Sequence, residues 1–345
     1  MTEPAAWGTP ASTGSQPDDN APRVGYLRRS KSSSSLPANS ADGVAMPICE
    51  IDPWRLQYFR DARCPPDVSI PTEDSDAWEW NPRHRWVYDK IAVALSQGLA
   101  AGPHGTKPPG FPVFSKPITN LKGMGIGTQI LYSDEDYGRS QTAGHMWMTL
   151  LEGAHVSSDV AVVRGEPRWW RHARGVPTGQ GTFDYWLIQA DRDPVLEGRL
   201  GEWVTKYLGD YTGMVNIETI GGFIIEIHLR LTDQWPDLYG SGWIDAVVNL
   251  YDHGEWVFDE HNRQDGFSVV LFGPHGRQYR HPDSEFIESV RAMAGVSSLQ
   301  ITFDQHRAAA LHAMPPGGFR LAIVNSNDLS VGINARQRLR AHFLG

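Results

Sequence analysis

Residues 214–230 read Met-Val-Asn-Ile-Glu-Thr-Ile-Gly-Gly-Phe-Ile-Ile-Glu-Ile-His-Leu-Arg. Strict alternation in the second half predicts a strand. Phe223, Ile225, Ile227 and Leu229 would face one side, and Ile224, Glu226, His228 and Arg230 the other. A surface strand rarely sets a carboxylate, an imidazole and a guanidinium in one row above an apolar underside. The first half repeats the pattern, with Val215 and Ile217 against Asn216 and Glu218, and Gly221-Gly222 supply a turn. Register decides the consequence. A two-residue turn would pair Glu218 with Ile225 and put the two glutamates on opposite faces. A three-residue loop, Ile220 to Gly222, would pair Asn216 with Glu226 and set Glu218, Glu226 and His228 on one face. Two carboxylates so placed repel unless a cation lies between them, and hard oxygens suit magnesium. The alternative is an amphipathic hairpin with a solvated charged face.

The rest of the chain sets the frame. Its 345 residues could form two or three compact units. With 40% hydrophobic and 21% charged residues it has a globular composition, and it has no apolar run long enough to span a bilayer. A formal charge of -9 argues against non-specific nucleic-acid binding. Cys49 and Cys64 are the only cysteines, too few for a disulfide framework or a zinc set, so a reducing cytoplasm is expected.

In chain order, residues 1–45 are rich in Ser, Pro, Ala and Asn and read as a disordered tail; their acids and lack of an apolar core argue against a signal peptide. Residues 46–83 form a short N-terminal segment too small to be a domain. Arg85 to Gly98 reads as one helix, with Val87, Ile91, Ala94 and Leu95 at helical spacing. Phe111 to Lys116 reads as a strand ending in a lysine. Between Asn120 and Thr128 the alternating Gly123, Gly125 and Gly127 let backbone amides approach an anion, as a phosphate-covering loop requires. Trp147 to Leu151 is apolar, and a strand follows Glu152-Gly153. Leu196 to Leu208 carries its apolar residues on one helical face. After the hairpin come a helix near Asp245, strands around 267–272 and 319–324, a basic loop around Arg277 and His281, and a last helix from Val331 to Phe343. This is an α+β chain with antiparallel features.

Taken in order, these pieces resemble the ATP-grasp superfamily over residues 84–240. The resemblance implies an ATP-grasp fold of two α+β subdomains with ATP held between them, followed by a C-terminal α+β region, 241–345. It implies that Lys90 and Lys116 contact the nucleotide and that the Gly123, Gly125 and Gly127 loop covers the phosphates. Met148 and Leu150 fall at the adenine hinge, Glu152-Gly153 through Asp159 at the family's glutamate-glycine and strand pattern, and His155 near the ribose. Glu218, Glu226 and His228 would hold the metal. Arg230, with Lys116, would serve the transferred group. The family usually reads Glu-x-Asn-x-Arg where this chain has Glu226-Ile-His228-Leu-Arg230, and the softer imidazole tilts Mg2+ towards Mn2+. The segment 46–83 is also shorter than the domain that usually precedes the grasp, which leaves room for a partner subunit or a homo-oligomer. The implied activity is a ligase that uses ATP to activate a small-molecule carboxylate as an acyl phosphate for an amine. A non-catalytic nucleotide-binding subunit is the alternative.

Overall fold

The computed structural model describes residues 48, 50, 52–119, 121, 125–261, 263–309 and 315–345. The expectations for residues 1–45, for Cys49 and for Gly123 lie outside these. A 3-10 turn at Leu56–Tyr58 precedes helix α1 (Asp74–Trp80), a second 3-10 turn (Arg85–Tyr88) and α2 (Lys90–Ser96). Then come β1 (Ala101–Pro103), β2 (Val113–Pro117), β3 (Gln129–Leu131), α3 (Asp134–Arg139) and β4 (His145–Thr149). The middle of the chain forms β5 (His155–Val163), β6 (Glu166–Gly179), β7 (Thr182–Ile188), α4 (Pro194–Tyr207), β8 (Gly213–Ile220) and β9 (Phe223–His228). It closes with α5 (Trp243–His253), β10 (Gly266–Gly273), α6 (Ser284–Arg291), β11 (Val296–Ile301), β12 (Phe319–Ser326) and α7 (Leu329–Leu344).

Two antiparallel sheets result: a four-stranded one ordered β1-β4-β2-β3 and an eight-stranded one ordered β11-β12-β10-β7-β6-β5-β8-β9. The C-terminal strands therefore continue the sheet that carries the hairpin. One face of the large sheet packs Val160, Val162, Val215, Ile217 and Ile227 under α4, which contributes Leu200 and Val204. Asp193 starts α4 by accepting from Leu196 N, with a proline in its first turn. The opposite face packs Ala161, Trp169, Trp186 and Met214 against Trp235, Trp243 and Leu250, and against Phe59 and Ile70. Burying each such side chain contributes about 2 kcal/mol. Among the described residues no helix is long and apolar enough to cross a membrane.

Two local expectations change. The single helix expected over residues 85–98 is divided, because Asp89 takes extended backbone and its carboxylate accepts from Ile91 N and Ala92 N, capping a shorter α2. Aspartate competes for backbone amides more strongly than the apolar spacing favours continuity. The hairpin follows neither expected register. Its turn has two residues, with Ile220 opposite Phe223, yet Glu218 lies opposite Glu226 and Asn216 opposite His228. Thr219 pairs with Ile224, so Ile225 is an extra residue, a bulge that restores the two glutamates to one face. The basic loop at 277–281 is held to backbone: His281 Nε2 lies 2.7 Å from the Phe303 carbonyl.

Candidate active site

Two lysines, one from α2 and one from the small sheet, reach β9 of the large sheet. Lys90 opens α2, and its side chain, nearly buried, reaches β9 with Nζ 3.0 Å from Glu226 Oε1. From β2 the buried Lys116 Nζ donates to the Ile225 carbonyl at 2.8 Å. That carbonyl belongs to the bulge residue, so the irregularity that aligns the glutamates also receives the second lysine. Burial, and then the neighbouring charge of Lys90, pull the Lys116 ammonium down to about 8. Gln97 ties α2 to the same strand, donating to the Ile224 carbonyl at 2.9 Å and accepting from Ile224 N at 2.7 Å.

On the large sheet, Glu218 Oε2 lies 3.0 Å from His155 Nε2. Burial would raise the Glu218 carboxyl, but the His155 hydrogen bond and the charges of His155, His228 and Arg230 hold it below its usual value. Phe183 and Trp186 wall in His155, each ring centroid 5.3 Å away. His155, expected beside a ribose, thus also touches a carboxylate of the expected metal set. His228 Nδ1 lies 2.9 Å from Asp74 Oδ1, while its Nε2 points towards Glu218 Oε1 at 3.9 Å. Arg230 Nε grips the same Asp74 oxygen at 3.0 Å, and Tyr88 donates to it at 3.2 Å. Burial opposes charge on Asp74, yet Arg230 and His228 outweigh it and keep the carboxyl well below its usual range. Burial likewise opposes charge on His228, and Asp74 overrides it, raising the imidazole.

Of the expected site residues, Lys90, Lys116, His155, Glu218, Glu226, His228 and Arg230 are thus linked by direct contacts to one another, to Asp74 or to the hairpin backbone. Glu218 and Glu226 are paired across the hairpin, but Glu226 turns to Lys90 and His228 Nε2 stays 3.9 Å from Glu218, so the three expected metal ligands do not converge on one point here. Glu226 is turned to Lys90, so an ion would share it with, or take it from, that ammonium. Gly125 and Gly127 have left-handed backbone (φ 65° and 71°), and a Cβ at Gly127 would come 3.0 Å from His145 Nε2. Met148 is buried in the small unit beside Ala94 and Met146, whereas Leu150 is half-buried and Glu152 exposed on the connection to the large sheet. That connection is clamped to the hairpin turn: Gly221 N donates to the Ala154 carbonyl at 3.1 Å, and a Cβ on Gly153 would meet Gly221 Cα at 2.8 Å.

Three contributors were missed in the sequence. Asp74 comes from the segment judged too small to be a domain, and Tyr88 from the part of the expected helix that became a 3-10 turn. Asp159 is fully buried on β5, accepting from Asn216 Nδ2 at 2.8 Å, Thr232 N at 3.1 Å and the Tyr239 hydroxyl at 2.9 Å. It pins the chain after Arg230 to the sheet. An Asp-Ser-Asp run at a helix start was the only available signal for Asp74.

No protein-family model matches the sequence, and a search of curated proteins gives no match. Solved structures do match. An L-amino acid ligase from Bacillus licheniformis is similar over 83% of this chain and 82% of its own, at 10% identity and a TM-score of 0.59. An N5-carboxyaminoimidazole ribonucleotide synthetase from Thermus thermophilus is similar over 84% of each chain, at 14% identity and a TM-score of 0.55. A carboxyaminoimidazole ribonucleotide synthase from Aspergillus clavatus, complexed with ATP, is similar over 74% of each chain, at 13% identity and a TM-score of 0.53. With two antiparallel sheets linked through the contacts of Lys90 and Lys116 with β9, the chain has the ATP-grasp fold.

Proposed function

We propose that this chain is an ATP-dependent ligase that activates a small-molecule carboxylate as an acyl phosphate for attack by an amine. The observation that carries this reading is the convergence of Lys90 and Lys116 from one unit on Glu226 and the Ile225 carbonyl of the other, opposite Glu218. Two cations facing two carboxylates across a cleft suit a polyphosphate and its metal better than a neutral ligand. The likeness to a ligase and to an ATP-complexed synthase supports the same class.

In this reading Lys90 and Lys116 bind phosphate oxygens. Lys90 exchanges Glu226 for phosphate, which frees Glu226 to join Glu218 and the outer nitrogen of His228 as metal ligands. Magnesium held there supplies charge neutralisation on the phosphates when bound. Asp74 keeps its proton-bearing partner, His228 Nδ1, oriented, as a carboxylate behind a metal-binding histidine does. Gly125 and Gly127 cover the phosphates, the strand β4 end and its connection, Met148 to Glu152, hold the base, and Arg230, to serve the transferred group, has to turn from Asp74 and the Leu231 carbonyl. A carboxylate oxygen of the substrate takes the γ-phosphoryl group, and ADP leaves with the electrons of the broken P–O bond. The amine nitrogen then forms the C–N bond as phosphate departs, and the amine's surplus proton passes to phosphate or solvent. The protein's part is positioning and charge, which is most of what phosphoryl transfer requires.

The unit boundaries we propose are a core of 84–240 completed by strands of 241–345, and the free, buried Cys64 suits a reducing cytoplasm. The test is phosphate release from ATP with full-length protein and a panel of carboxylates and amines. Release that requires both substrates supports the ligase; nucleotide binding without any release overturns it in favour of a binding subunit.

A further inference from the structure

A second group of charges lies on the other side of Asp74, built from residues that the ligase reading does not use. Arg55 Nη1 is surrounded by four carboxylates: it touches Glu73, lies 2.7 Å from Asp233 Oδ2 and 3.1 Å from Asp52 Oδ2, and is 3.7 Å from Glu50 Oε1. One guanidinium nitrogen carries two protons and can satisfy two of these oxygens. Arg320, whose charge acts on Asp52, Glu73 and Asp233, is the second cation of the group, and Arg230 nearby is committed to Asp74. Arg55 thus shares one nitrogen among four carboxylates, while Arg320, Arg307 and Arg230 act on them through their charge alone.

The independent sign of a missing ligand is Glu50. Its side chain has no solvent exposure, its Oε1 accepts from Asp52 N at 2.8 Å, and its Oε2 is buried with no hydrogen-bond partner. A buried carboxylate oxygen without a partner costs about 1–3 kcal/mol or more, and a bound cation removes that cost. Glu50, Asp52 and Glu73 each offer one oxygen, and these three atoms lie within 4.8 Å of one another. Oxygens this close can share one hard divalent cation, and calcium tolerates an irregular shell of oxygens better than magnesium does. Asp52 and Glu73 are partly exposed, at 28% and 29%, which leaves a path for an ion and its remaining waters.

We propose that Glu50, Asp52 and Glu73 bind a hard divalent cation, with calcium as its probe, at a site distinct from Glu218 and Glu226. The ion takes over the oxygens now crowded on Arg55 and fixes Glu73 at the start of α1, where the next residue is Asp74. It is a structural ion: it tethers the N-terminal segment to the helix that orients His228 and Arg230. The site does not depend on the ligase reading.

Thermal unfolding and equilibrium dialysis of the full-length protein with calcium, without nucleotide, test this. The unmodified chain should bind calcium and unfold at a higher temperature with it. Glu50→Gln and Asp52→Asn should each weaken that binding at least about tenfold and lose the shift, while Glu226→Gln should keep both. Circular dichroism of each variant without calcium checks that it is folded, and Asp52→Asn, at the exposed rim, serves if Glu50→Gln is not. No calcium binding by the unmodified chain overturns the proposal. So does equal binding by folded Glu50→Gln or Asp52→Asn, or a loss confined to Glu226→Gln, which would assign the ion to the cleft.

Discussion

Glu218 stands directly opposite Glu226 across the β8–β9 hairpin although the turn between them has only two residues. The bulge at Ile225 makes this alignment, and the carbonyl it carries is the one that Lys116 Nζ reaches at 2.8 Å. One backbone irregularity therefore sets both the carboxylate pair and the position of the lysine that faces it.

Glu226→Gln keeps the side-chain shape but removes the charge shared between Lys90 and the expected metal. Turnover should fall by orders of magnitude while ATP still binds, because Lys116 and the glycine backbone are untouched. Parallel steady-state rates and nucleotide titrations check this; full activity in the variant would remove the carboxylate pair from the mechanism.

Lys116→Met should weaken ATP binding by about tenfold or more, the loss of one charge-assisted contact of roughly 1.5–3 kcal/mol. Its pH dependence has a definite sign. A lysine lowered to about 8 carries its charge below that pH, so affinity for ATP should fall as pH rises from 7 to 9. Lys116→Arg, which stays charged, should flatten that profile. Calorimetry across the range reads both effects, and an identical slope in the two proteins would assign the titration to another group.

Asp74→Asn leaves His228 and Arg230 without their shared counter-charge. Breaking a buried pair in this way costs about 3–5 kcal/mol, read as a lower denaturation midpoint. The acid limb should change too. Because folding depresses the Asp74 carboxyl, its stabilisation is complete above the unfolded carboxylate range and is lost as pH falls through the folded value. The variant should therefore lose less stability than the unmodified chain between pH 5 and pH 2.

Gly153→Ala should destabilise more than Gly98→Ala. Gly98 has φ 75° with nothing near its Cβ, so alanine there meets only the left-handed penalty of about 1 kcal/mol. Gly153 has φ 121°, and its new methyl would press the Gly221 backbone at 2.8 Å. Denaturant unfolding of the two variants gives the comparison, and equal costs would mean that the connection is free to move away from the hairpin turn.

Much of this was readable along the chain. Alternation over 223–230 predicted β9, apolar spacing over 196–208 predicted α4, and the ordered lysines, glycines and acids carried the resemblance to the fold. These signals are local: a strand's two faces and a helix's one face are written in the residues that form them. The hairpin register was less accessible, because the turn glycines allowed two loop lengths and a bulge can arise anywhere along a strand without a signature of its own. The division of the expected helix at Asp89 turned on one carboxylate competing for two amides.

By itself, then, the sequence determined the elements, their apolar faces and the roster of Lys90, Lys116, Glu218, Glu226, His228 and Arg230. Only the tertiary structure decided who meets whom. Asp74 lies 154 residues from His228 in sequence and 2.9 Å from it in space, and Arg55 gathers acids from residues 50 to 233. Charges pair through space at a few ångströms regardless of chain separation, so no spacing rule along the sequence could have announced either meeting.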